Sequence, residues 1–151
     1  YVKQNVKMDY TVKDGKINKT VTITYRNPRK HDNCDEESGQ LCLNATLRDF
    51  QRVYVPKGSK LDSSKGSEVK VVTGEEFGKT MFESFLTVKP LGKAEISYTY
   101  SLPFDVKDSD KLPVLIQKQP GTDVIPYEVT VNGKTVEKFD LIGDKVLELE
   151  I

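Results

Sequence analysis

From Val6 to Tyr25 apolar and polar side chains take turns. Val6, Met8, Tyr10 and Val12 share one phase, and Lys7, Asp9, Thr11 and Lys13 the other. A period of two belongs to a β-strand with one buried face. Asp14-Gly15 then interrupts the pattern, and Asp-Gly suits the type I′ hairpin turn because both central residues take positive φ. Ile17, Val21, Ile23 and Tyr25 resume the apolar phase opposite Thr20, Thr22 and Thr24. Lys19 breaks that phase, close enough to the turn to reach water. Asn27-Pro28 ends the hairpin, and residues 29–44 read as a long loop.

Further strands are predicted at 47–56, 68–73 and 80–88, with turns at 57–59 and 62–67 and a short connector at 75–78. Ala94, Ile96, Tyr98, Tyr100 and Leu102 form the cleanest alternation, stopped by Pro103. Residues 114–119, 127–131, 135–139 and 147–151 follow, with Asn132-Gly133 as a second type I′ signal. No segment carries the i, i+3, i+4, i+7 spacing of a helix. About nine or ten short strands with regular turns predict an all-β fold, an antiparallel β-sandwich of immunoglobulin-like kind. The chain lacks Trp, and its two cysteines are too close for the inter-sheet disulfide of antibody domains.

At 151 residues the chain is expected to form one domain, residues 1–151. It starts at Tyr1 in strand-like sequence and ends at Ile151 within an alternation, so excision from a longer protein is expected. Lys plus Arg equals Asp plus Glu at 23 each, which argues against a nucleic-acid binder. Neutrality hides an asymmetry. Residues 1–30 hold eight basic and two acidic side chains, and residues 121–151 three basic and seven acidic ones. No apolar run approaches the length of a membrane span, so no direct membrane insertion is expected.

Cys34 and Cys42 flank a polar, turn-forming segment. A disulfide between them closes a short loop and implies an oxidising compartment; two free thiols are the alternative. The only histidine, His31, lies in a charged loop, and a nucleophile–base pair requires geometry that sequence does not supply. The pairs Glu36-Glu37 and Glu75-Glu76 read as surface charge. Asp105, Asp108 and Asp110 crowd one loop, as do Asp32, Asp35, Glu36 and Glu37. Such clusters supply the oxygen ligands calcium requires, without the spacing of an EF-hand. Lys118 falls in phase with Val114 and Ile116. An ammonium on an apolar face is a candidate for an isopeptide crosslink to Asn or Asp; so near a strand end it can also snorkel to water. Asn18-Lys19-Thr20 and Asn44-Ala45-Thr46 match the N-glycosylation pattern, with both asparagines expected at the surface. No catalytic set and no cofactor are implied.

Several segments resemble, in order and wording, the C-terminal part of an uncharacterised bacterial envelope family, domain of unknown function four thousand and twelve. They include Asp14-Gly15-Lys16, Tyr25-Arg26-Asn27-Pro28 and residues 48–59, followed by Phe77-Gly78-Lys79, residues 98–103 and residues 117–122. The resemblance implies an extracellular region of a membrane-anchored cell-surface protein, anchored through segments outside this chain. It brings no catalytic residues. The expected function is a non-enzymatic module, a spacer or binding domain, whose partners are neighbouring domains of the parent protein or an envelope glycan or protein. The alternative is an accessory domain of an envelope enzyme that binds glycan or peptide.

Overall fold

The structure is a computed structural model that describes residues 2–32, 35, 37–39, 44–107 and 111–151. Among the described residues eleven strands follow one another: β1 Lys3–Lys13, β2 Lys16–Arg26, β3 Leu47–Val55, β4 Lys60–Lys65, β5 Val72–Glu76, β6 Lys79–Val88, β7 Lys93–Asp105, β8 Lys111–Ile116, β9 Ile125–Val131, β10 Lys134–Leu141 and β11 Lys145–Glu150. Among the described residues no helix is long and apolar enough to cross a membrane.

A six-stranded sheet runs in the order β10-β9-β1-β2-β7-β4, beside a three-stranded sheet β3-β6-β5 and a two-stranded ribbon β11-β8. Their inner faces share one core, which makes a β-sandwich. The large sheet supplies Tyr10, Tyr25, Tyr98 and Tyr100, all nearly inaccessible, and β6 supplies Phe82 and Leu86. Phe82 packs on Tyr98 and edge-on to Tyr100, with ring centroids 6.2 and 5.4 Å away. Large aromatic side chains bury much area per residue, so a chain lean in aliphatics still closes a core.

Both expected type I′ turns form. Asp14 and Asn132 take φ of 49° and 48°, each followed by a glycine of positive φ. Four features depart from the sequence reading. Residues 62–65, read as part of a turn, belong to the edge strand β4. Its Ser, Asp and Lys side chains carry no strand signal, because on an edge only Leu61 and Ser64 are half-buried. The strand read at 68–73 instead forms at Val72–Glu76 as β5, and residues 66–71 cross from one sheet to the other. The sandwich is also not wholly antiparallel. β9 lies parallel to β1, with Val6 beside Tyr127 and Tyr10 beside Val131. Alternation is blind to strand direction, so periodicity cannot register this pairing. Pro103 does not end its strand. β7 continues to Asp105, because beyond Ser101 β4 no longer pairs with it and a missing N–H there is tolerated.

Candidate functional site

The sequence-marked residues are scattered. Asp105 ends β7, and its carboxylate accepts both contacts of the Lys16 ammonium, at 2.6 and 2.8 Å. Asp108 and Asp110 lie outside the described residues, as do Cys34, Cys42 and Glu36. Among the described residues no group of three His, Cys, Asp or Glu side chains is placed to hold a metal. Lys118 lies past the end of β8. Its ammonium donates to the Thr122 carbonyl at 2.6 Å and hydroxyl at 2.8 Å, and its backbone N–H to Asp144 at 2.8 Å. His31 is exposed, with Nδ1 on the Asp32 carbonyl. Asn18 is exposed, whereas Asn44 is buried. The Asn44 amide donates to the Lys30 carbonyl at 2.6 Å and accepts from Asn27 at 3.0 Å. The expectation of a surface glycosylation site at Asn44 is therefore corrected: a wholly engaged, buried amide has no room for a sugar. Glu75 and Glu76 part company, Glu75 meeting Lys57 at 3.2 Å and Glu76 facing Arg52 and Tyr54.

One set of residues does converge, on the outer face of the β3-β6-β5 sheet. Along β3 the odd positions face inward and the even positions outward. Inward, Gln51 donates to Tyr25 Oη at 2.7 Å and accepts from Tyr98 Oη at 2.9 Å. Because that phenol proton goes to Gln51, the Ser84 hydroxyl donates to Tyr98 at 2.5 Å. This part-buried chain bolts β3 and β6 to the large sheet. Burial, then the nearby Asp49 carboxylate, holds the Tyr25 phenol above its usual range.

Outward, the same bolted strands present Phe50, Arg52 and Tyr54 beside Phe85, Glu83 and Met81 of β6. Phe50 is 78% exposed and leans on Phe85 at 4.6 Å. The Arg52 guanidinium donates to Glu83 at 2.7 Å and reaches Glu76 at 3.5 Å. Tyr54 donates to Glu76 at 2.6 Å, a bond that raises its phenol pKa. Val72 of β5 lies in the Arg52–Glu83 row and is 56% exposed. Phe50 and Tyr54 stand about 13 Å apart at the usual strand rise.

Phe77 completes the face. It forms the β5–β6 turn with Gly78, at φ 52° and 68°. Its ring is 80% exposed and lies 6.0 Å from that of Tyr54. Positive φ is unfavourable for a bulky residue, and Asn or Asp is the usual occupant of such a turn. A strained, exposed aromatic at a turn tip contributes little to folding, which makes Phe77 a candidate for a functional role. Sequence reading missed this site because residues 47–56 carry apolar side chains in both phases. The available signal was two aromatics, Phe50 and Tyr54, out of phase with Val53 and Val55.

No family model matches the chain, and no curated protein matches it. Among solved structures it is similar to an M1 zinc metallopeptidase from Deinococcus radiodurans, at 11% identity and a TM-score of 0.38, covering 99% of this chain and 38% of that one. A mutant of that peptidase bound to a Tyr-Ser-Ala substrate gives 10% identity and a TM-score of 0.40, with 99% and 39% covered. A two-domain M1 zinc metallopeptidase mutant bound to tryptophan gives 9% and 0.41, with 99% and 39% covered. The chain thus spans about two fifths of those chains' length.

Proposed function

We propose that the chain is a non-catalytic binding module of a bacterial cell-envelope protein, and that it holds a protein partner on the outer face of β3-β6-β5. The observation that carries this reading is Phe77, an exposed ring kept at positive φ beside Tyr54. The composition of the face supports it further. Phe, Tyr, Met and Arg are the residue types enriched where proteins meet. Arg52 is already held between Glu83 and Glu76, so its charge is met within the face and the rings around it remain for an apolar partner surface. The envelope setting rests on the resemblance of the segments quoted above.

Phe77→Asn separates folding from binding. It is expected to raise stability by about 0.5–1 kcal/mol, because Asn tolerates positive φ, and to weaken the partner. Thermal melts with a panel of envelope peptides and glycans provide the readout. A peptide at about 100 times its Kd stabilises by about 2.7 kcal/mol, or about 5 °C or more for a domain of this size. At least one peptide is expected to do so in the wild type and to lose the effect in Phe50→Ser and Phe77→Asn. A glycan with that dependence would move the reading to sugar. No shift across the panel, or a shift indifferent to both substitutions, contradicts it.

A further inference from the structure

A second surface, independent of the aromatic face, lies along β4. This strand ends the six-stranded sheet and pairs only with β7 among the described residues, so its other edge presents unpaired backbone groups. After Lys65 the chain turns away at Gly66, and residues 67–71 strap the side of the sandwich. The strap is fixed to β6: the Glu68 N–H donates to the Phe85 carbonyl at 2.8 Å, and the Glu68 carboxylate accepts from Thr87 N and Oγ1 at 2.7 and 2.6 Å. Between strap and β4 lies an open crevice of about 380 Å³. Half-buried Leu61 and Val71 form its apolar floor, and Ser64, Lys65 and Lys70 its rim.

Lys65 and Lys70 line this crevice against the single carboxylate of Asp62, so its charge is net positive. Lys60, Lys65 and Lys70 are exposed, and none forms an ion pair with a carboxylate among the described residues. Asp62, at the bulge of β4, is the one carboxylate lining the crevice among the described residues, since Glu68 is turned toward β6. Lysines on a free edge oppose pairing with a like strand. They favour an acidic one.

We propose that the β4 edge receives an extended acidic peptide segment of a partner protein by strand addition. The segment's backbone takes up the free edge of β4, its apolar side chains rest on Leu61 and Val71, and its carboxylates meet Lys65 and Lys70. This is main-chain affinity with side-chain selection, the usual division in strand addition.

Fluorescence anisotropy tests this with a labelled peptide of four Val-Glu repeats, its Val-Lys counterpart, and a Val-Glu peptide N-methylated at alternate residues. Saturable binding is expected for the first alone. Reversing both rim charges (Lys65→Glu with Lys70→Glu) should weaken it about tenfold or more; both side chains are exposed, and circular dichroism checks the fold. Phe50→Ser should leave the affinity unchanged, which keeps this test apart from the aromatic face. The proposal is overturned by absence of saturable binding, by equal binding of the N-methylated peptide (attraction without a ladder), by indifference to charge reversal, or by loss in Phe50→Ser.

Discussion

Replacing Gly66 with alanine is expected to cost about 3 kcal/mol or more and to lower the melting temperature by about 10 °C. Two causes add. Gly66 has φ +85°, a conformation that costs an L-residue about 1–2 kcal/mol. An added Cβ would also sit 1.9 Å from the Glu95 carbonyl oxygen and 2.9 Å from its carbon. The obstacle is backbone near the start of β7, held in the sheet, so it cannot swing aside as a long side chain would. Either β4 separates from β7 or the strap is displaced. Gly121 is the control: its φ is +78°, yet nothing lies within 4 Å of its Cβ position. Gly121→Ala should therefore cost only the backbone term, about 1 kcal/mol. Chemical denaturation of the two variants decides. Equal losses would mean that the close approach at Gly66 does not constrain the fold.

Lys19→Met is expected to stabilise the domain at pH 7 by about 2 kcal/mol. Lys19 occupies an inner-face position of β2, between Tyr10 on β1 and Tyr100 on β7. Its ammonium lies 4.8 Å from the centre of the Tyr10 ring. Among the described residues no carboxylate pairs with it. Burial lowers its pKa from 10.5 to about 8. The unfolded chain therefore holds more protons than the folded one between pH 8 and 10.5, and wild-type stability rises with pH across that window. Below about pH 8 both states are charged and the full penalty applies, on the order of 2–3 kcal/mol before the compensating ring contact. The advantage of Lys19→Met should accordingly be largest near neutrality and shrink as pH rises. Burial holds the phenols of Tyr10 and Tyr100 above their usual range. Ionisation of the unfolded tyrosines lowers stability above about pH 10, so the comparison belongs between pH 7 and 10. Denaturation midpoints of both proteins over that range check the slope. A constant difference across it would remove the titration of Lys19 as the cause.

These two positions show what periodicity reaches. Lys19 stood out in the sequence as a break in the apolar phase, and its place on the inner face follows from that phase. Its neighbours did not, because which tyrosines flank it depends on the order β1-β2-β7 rather than on local pattern. The hairpins at Asp14-Gly15 and Asn132-Gly133 were legible because their residues are chosen for positive φ. The equivalent turn at Phe77-Gly78 was not, because Phe contradicts that chemistry. β4 escaped notice for a related reason: an edge strand buries little, so its Lys-Leu-Asp-Ser-Ser-Lys sequence carries no alternation. The aromatic face was half legible. Phe50 and Tyr54 are visible as strand residues, but which side faces the core depends on Gln51 and Asp49 being turned inward. Half-buried polar residues are what a hydrophobic pattern assigns to solvent.

The most direct test of the binding role is a nitrogen–proton correlation spectrum of the domain titrated with the strongest binder from the peptide panel. The amides that shift should cluster at Phe50, Arg52, Tyr54, Phe77 and Phe85, with those of the β1–β2 hairpin unmoved. Shifts gathered instead on the β1–β2 hairpin or the two-stranded ribbon, with the outer face of β3-β6-β5 silent, would contradict the account.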